Sequence, residues 1–180
     1  AGSCQITGHL EMERLLCNLS TCTAEPFPVV YQPPEPVQVN CGDQRDQIIQ
    51  EYVDFGVNFT PGCSDFTQSI NCQNIALSEY TQDDDFSWFI LRSSLCTGFN
   101  ATRTNFGAAI PLSSGYRNPA ANQRVGGVQN SFHVKGTAVD MDGLTVAENQ
   151  AIFNAMAGTN FVERIAEPDF NNATRIHGAW

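Results

Sequence analysis

All seven cysteines, Cys4, Cys17, Cys22, Cys41, Cys63, Cys72 and Cys96, fall in the first 96 residues of the 180-residue chain, and everything after Cys96 is free of them. The first part can be stiffened by covalent bridges, while the second must hold itself by burial alone. The spacing is not that of a zinc ribbon, because no pair of C-x-x-C knuckles occurs. Clustered cysteines in a Lys-poor, acidic chain point to disulfides and an oxidising compartment, so a secreted or extracellular protein is expected, with the periplasm also compatible. Seven is odd: at most three bridges form within the chain and one thiol is left over. A monomer is expected unless that thiol pairs with another chain. Spacing does not determine the connectivity.

Nine Lys plus Arg against nineteen Asp plus Glu give a net charge of -10. Phosphate binding needs a basic footprint, so nucleic acid is not an expected partner, and neither is an anionic membrane surface. No stretch approaches the ~18–20 consecutive apolar residues that span a bilayer, so no membrane span is expected. The length suffices for one domain with a real core.

Glu25 to Val39 is Pro-rich and reads as an extended strap behind a short Cys-bearing segment. Asp43 to Asn58 carries Ile48, Ile49, Tyr52, Val53 and Phe55 at helical spacing, with Asp43 as candidate N-cap. Asp83 to Leu95, with its acidic start, reads as a second helix. From Ala108 onward, short apolar runs alternate with Gly, Ser and Asn. Strands are expected at Ala108 to Leu112, Thr137 to Met141, Val162 to Ala166 and Ala173 to His177. Thr145-Val-Ala-Glu148 is a capping box that opens a helix to about Ala157. The order implies an α+β fold, a small antiparallel sheet with flanking helices. Residues 1–105 are expected to form a Cys-rich N-terminal extension packed on a core of residues 106–180, one compact unit overall.

Three histidines occur: His9, His133 and His177. His9 lies far from the other two and has no partner of note. His133 stands seven residues before Asp140, a separation that simple strand alternation cannot put on one face. Gly136 permits a turn between them, so that the His comes from a loop and the Asp from the strand that follows. Small Ala138 leaves room alongside. With His177 on a neighbouring strand, the set is two imidazoles and one carboxylate, and three protein ligands with one open position is the arrangement of catalytic zinc. Cobalt or manganese could substitute. On spacing alone, a hydrogen-bonded core His and a turn Asp account for the same residues. Trp88 and Trp180 read as packing residues, although Trp180 follows His177 closely enough to line a cleft.

Two motifs in the surrounding sequence sharpen this. Ser113-Ser-Gly-Tyr-Arg117 is followed by Gly126-Gly127 and then by Ser131-Phe-His133-Val-Lys-Gly-Thr-Ala-Val-Asp140. Together they resemble the signatures S-G-Y-R and S-x-H-x-x-G-x-A-x-D of the zinc D-alanyl-D-alanine carboxypeptidase family. That family includes VanX- and VanY-type peptidases, phage endolysins that cut L-alanyl-D-glutamate bonds, and the distant Hedgehog domain. The Gly-Gly pair is similar to the carboxypeptidase branch, and the resemblance covers residues 108 to 180. It implies a zinc metallopeptidase that hydrolyses peptide bonds of peptidoglycan, as a D-Ala-D-Ala carboxypeptidase or a cell-wall endopeptidase. The zinc ligands it implies are His133, Asp140 and His177. Arg117 would steady the developing oxyanion or grip a substrate carboxylate. Ser131 would bind substrate or orient the His133 loop.

The proton-transferring base is where the chain departs from the pattern. Many relatives carry Glu or Asp three residues before the last His ligand, and this chain has Thr174 there. Another branch carries an acidic residue at the end of the preceding strand, which nominates Glu167 within Phe161-Val-Glu-Arg-Ile-Ala-Glu167, with Glu163 and Asp169 as alternatives. The competing expectation is a catalytically inactive, Hedgehog-like zinc-binding interaction module. The missing acid favours that alternative, and the intact Arg117 disfavours it.

Overall fold

The computed structural model describes residues 14–18, 21–25, 40–82, 86–143, 145–168 and 174–180. Cys4, His9, Asp83 to Asp85, Asp169 and the Pro-rich segment after Glu25 lie outside the described residues. The chain divides into two units, Ala1–Pro34 and Glu35–Trp180. In the first, β1 (Arg14–Asn18) and β2 (Thr21–Glu25) form an antiparallel hairpin in which Cys17 opposes Cys22.

The second unit opens with helix α1 (Asp43–Asp54), which buries Ile48, Ile49 and Tyr52. These are the residues whose helical spacing predicts the buried face. The helix starts at Asp43 itself, capped by Gly42, and the Asp46 carboxylate accepts the Cys41 N–H at 2.8 Å. A disulfide joins Cys41 to Cys63 and so ties this helix start to the 3-10 turn Cys63–Asp65. Cys72, buried, and Cys96, half-buried, are free thiols. Burial pushes both thiols up, which keeps them protonated and unreactive at neutral pH.

Asp65 closes the same turn by accepting the Gly62 N–H and an Arg92 guanidinium N–H, each at 2.7 Å. Burial alone would raise its carboxyl pKa, but these donors outweigh burial and hold it below the usual carboxylate range. A depressed folded-state value means stabilisation that is present above the unfolded value of about 4 and lost as pH falls through the folded one. Asp65→Asn is therefore expected to cost about 0.2–1 kcal/mol at pH 7 and nothing once both states are protonated. Urea unfolding measured from pH 7 to pH 2 checks this; a cost that persists undiminished at the acid end would contradict it.

A second helix is expected from Asp83 to Leu95, but of the described part only Ser93 to Leu95 is helical. Phe89–Ile90 is strand β4, paired antiparallel with β3 (Phe66–Thr67), and both its residues are fully buried. A short apolar run buried on both faces reads the same in either conformation. Helix α2 (Leu77–Tyr80) is short, and α3 (Ser93–Phe106) starts only after Arg92, ending on Gly107 in the left-handed conformation.

The remainder builds one four-stranded antiparallel sheet. Its strands are β5 (Leu112–Ser114), β6 (Ala138–Met141), β7 (Glu163–Pro168) and β8 (Thr174–Ala179), in the order β5-β6-β8-β7. Strand β5 begins where the predicted strand Ala108 to Leu112 ends; the other three overlap their predicted positions. Helix α4 (Pro119–Arg124) lies between β5 and β6. Helix α5 (Val146–Ala155) follows β6, and the Thr145 hydroxyl accepts the Glu148 N–H at 3.1 Å, as the capping box requires. The α+β architecture with helices flanking a small antiparallel sheet is the one the residue pattern predicts. Among the described residues, no helix is long and apolar enough to cross a membrane.

Helix α3 seats the end of β8. A Cβ at Gly98 would lie 2.1 Å from the Trp180 ring, so only glycine lets the helix approach this closely. The Trp180 indole N–H reaches the Thr159 hydroxyl at 3.3 Å, and its carbonyl accepts the Ser94 hydroxyl at 3.2 Å. Trp180 is therefore a packing residue that anchors the strand, not part of a cleft wall.

Candidate metal centre

Register places three polar residues of the sheet side by side. Asp140 opposes His177 across β6 and β8, Ser114 opposes Asp140 across β5 and β6, and Ile165 opposes His177 across β7 and β8. Directly opposed residues of an antiparallel pair project from the same face. One face of the sheet thus carries Asp140 and His177, and the irregularity between Leu112 and Ser114 brings β5 to the same spot.

His133 comes from the turn before β6, as the Gly136 argument predicts. Gly136 has φ +69, and a Cβ there would stand 2.4 Å from the Ile90 carbonyl oxygen. Its own carbonyl accepts the Arg92 N–H at 3.0 Å, pinning the turn to the end of β4. Gly136→Ala meets both a strained dihedral and a backbone clash. We expect a loss of about 1–3 kcal/mol in stability together with weaker metal retention, measured by urea unfolding and zinc content. A variant as stable as the parent would contradict this account of the turn.

His133 Nδ1 lies 2.6 Å from the Gly115 carbonyl oxygen. A carbonyl only accepts, so Nδ1 carries the proton and the lone pair of Nε2 faces the cluster. Nε2 stands 3.2 Å from Asp140 Oδ1 and 3.3 Å from His177 Nδ1, and His177 Nδ1 is 2.8 Å from Asp140 Oδ1. All three residues are buried, and one ligand atom from each lies within 4.8 Å of the others. Ligands ~2.0–2.1 Å from a tetrahedral ion sit roughly 3.3 Å apart. The spacing and the two-nitrogen, one-oxygen chemistry both fit a zinc-sized cation.

Burial alone would raise the Asp140 pKa. The two imidazoles beside it, His133 and His177, outweigh burial and hold the carboxyl well below its ordinary range. Its second oxygen accepts Arg117 Nη2 at 3.1 Å. Arg117 is itself buried, with Nε donated to the Ser114 hydroxyl at 2.9 Å and Nη1 to Asn122 Oδ1 at 3.4 Å. Asn122 belongs to α4, whose start is capped by the Asn118 side chain accepting the Ala121 N–H at 2.6 Å, with Pro119 at the first helical position. The Ser113-to-Arg117 motif thus places a guanidinium behind the carboxylate. Ser131 accepts the His133 N–H at 3.3 Å, the contact expected of a residue that orients the loop.

The cluster forms the floor of a cleft of about 500 Å³ whose walls include Arg117, Ser131, Phe132, Glu163, Ile165 and Arg175. Glu163 Oε2 lies 3.3 Å from His177 Nε2, the ring nitrogen that faces away from Asp140. Arg175 Nη1 lies 3.9 Å from Asp140 Oδ2, with about half of its side chain exposed. Glu167 pairs with Arg175 in the β7–β8 register, the next pair of the same parity beyond Ile165 and His177. Asp169 falls outside the described residues. Arg175 escapes motif reading, although strand alternation alone would have found it: it stands two residues before His177 and so shares its face.

A family model described as Peptidase M15 matches residues 64–177, well over half of the chain. No curated protein matches the chain.

Proposed function

Since the chain belongs to the Peptidase M15 family, whose members are zinc-dependent metallopeptidases, we propose that it is a secreted enzyme that hydrolyses peptide bonds in peptidoglycan, as a D-Ala-D-Ala carboxypeptidase or a cell-wall endopeptidase. The observation that carries this reading is the placement of His133, Asp140 and His177. They are buried together with their ligand atoms within 4.8 Å, yet lie at the floor of a cleft large enough for a short peptide. A purely structural ion is usually enclosed by four protein ligands, whereas three ligands beneath a cleft leave a position for substrate or water.

His133 would present Nε2, His177 Nδ1 and Asp140 Oδ1. Zinc bound there supplies Lewis acidity and activates water near neutral pH. Arg117 holds Asp140 from behind and adds a fixed positive charge under the cleft floor, favouring negative charge that develops at the substrate carbonyl. Ser131 holds the His133 loop. Arg175, the more exposed of the two cleft arginines, offers its fork to a substrate carboxylate. Glu167 takes the role of proton shuttle to the departing amine, in place of the acid that Thr174 cannot supply. Its register position opposite a cleft-lining residue supports that assignment. The Cys41–Cys63 bridge supports an oxidising compartment.

The test is to incubate zinc-loaded protein with purified cell walls and with short D-Ala-terminated peptides, with and without chelator. Free amine and free D-Ala are then measured. Chelator-sensitive release of terminal D-Ala supports carboxypeptidase action, and loss of cross-links supports endopeptidase action. Retained zinc with no bond cut would instead establish the inert interaction module.

A further inference from the structure

The two candidate imidazole ligands offer opposite nitrogens to the site. His133 turns Nε2 inward and ties Nδ1 to the Gly115 carbonyl at 2.6 Å. His177 turns Nδ1 inward, 2.8 Å from Asp140 Oδ1, and places Nε2 at 3.3 Å from Glu163 Oε2. A neutral imidazole has one N–H and one lone pair, and a carboxylate or carbonyl can only accept. A cation held by the cluster would take the lone pair of each inner nitrogen, and each outer acceptor would then hold the remaining N–H. For His133 that acceptor is backbone; for His177 it is a side chain and can be changed by mutation.

We infer that Glu163 is a positioning residue: it holds His177 with the proton on Nε2, so that Nδ1 is presented to the metal. The inference rests on the metallopeptidase reading above and adds a role to it. The sheet makes the contact possible. Glu163 opposes Ala179 and Ile165 opposes His177, so Glu163 is the diagonal cross-strand neighbour of the ligand. The contact is with the nitrogen on the outer side of the ring. Glu163 lines the same cleft as the three ligands, and the conservative variant below separates positioning from proton transfer. A carboxylate partner on the outer nitrogen also raises the basicity of the ligating one, and loss of such partners characteristically weakens metal binding about 10–100-fold.

The experiment compares wild type, Glu163→Ala and Glu163→Gln in zinc affinity, by competition with a chromophoric chelator, and in peptide hydrolysis at saturating zinc. In parallel, ¹⁵N NMR of the zinc-loaded proteins locates the remaining proton of His177. Glu163→Ala is expected to weaken zinc binding about 10–100-fold. Glu163→Gln, whose amide oxygen can still accept, is expected to recover most of that loss and to keep kcat within a few-fold of wild type. The His177 proton should sit on Nε2 in wild type and in Glu163→Gln. Unchanged zinc affinity in Glu163→Ala would overturn the inference while leaving the metal site standing. So would a loss of kcat of a hundredfold or more in Glu163→Gln at full zinc occupancy, because that is the signature of a base. A wild-type protein that takes up no zinc would overturn the metallopeptidase reading itself.

Discussion

Replacing Asp140 by Ala is expected to remove metal binding and to destabilise the protein by about 3–5 kcal/mol. Two separate effects combine. The first is the loss of the only carboxylate in the His133, Asp140 and His177 set, which leaves two nitrogens where three ligands are needed. The second does not depend on metal. Arg117 is buried and donates Nη2 to Asp140 at 3.1 Å; without the carboxylate, this buried ion pair is broken from one side, and single-partner deletions of buried pairs fall in this range. Asp140→Asn separates the two effects only in part, because it keeps the shape and an acceptor oxygen but not the charge. Urea unfolding of metal-free proteins isolates the second effect, and zinc content after dialysis isolates the first. If metal-free Asp140→Ala unfolded within about 1 kcal/mol of wild type, the carboxylate would not be what compensates the buried Arg117.

Replacing Glu167 by Gln is expected to lower kcat by about 10²–10⁴ with zinc content unchanged, the range that a general acid–base contributes. Thr174, at one position where the motif resemblance would place an acid, cannot accept and return a proton at neutral pH. The β7–β8 register sets Glu167 against Arg175, whose side chain lines the cleft. Fully retained turnover in Glu167→Gln would remove it as the base and direct the search to Asp169, without touching the ligand assignment.

How legible these features were in the sequence depended on whether they were local. The His133-to-Asp140 geometry follows from one glycine turn within eight residues, so its elements could be read in order. The Thr145 cap is likewise a contact over three residues. The contact of Glu163 with His177 is different, since it needs the β7–β8 register and the two residues lie 14 apart in sequence. Strand alternation sets Glu163, Ile165 and Glu167 on one face but does not say which residue of β8 each meets. The motif points Arg117 at substrate. Protein acceptors for it come from β5, α4 and β6, and no single segment announces them.

The cysteine-rich part shows a related limit. The motif resemblance begins at residue 108, whereas the family match begins at residue 64. The intervening residues supply β3, β4 and α3, which brace the site through packing rather than through chemistry. Gly98 admits Trp180, and the Ile90 carbonyl presses on Gly136. Such contacts leave no motif. The acidic run at Asp83 to Asp85 suggested a helix start, but the buried Phe89–Ile90 pair belongs to a strand, because tertiary burial outweighs local propensity in so short a segment. Likewise, the Cys41–Cys63 bridge depends on which ends the fold brings together and not on the spacing of the cysteines.

The most direct test of the central claim is to strip the protein with chelator and restore zinc stepwise, following peptide hydrolysis and bound metal together. The account predicts that activity on D-Ala-terminated peptides or cell walls disappears on stripping. It should then return in proportion to bound zinc up to about one equivalent per chain, and fail to return in His133→Ala, which should not retain the ion. Hydrolysis that survives complete stripping, or a full equivalent of zinc bound with no bond cut, would contradict it.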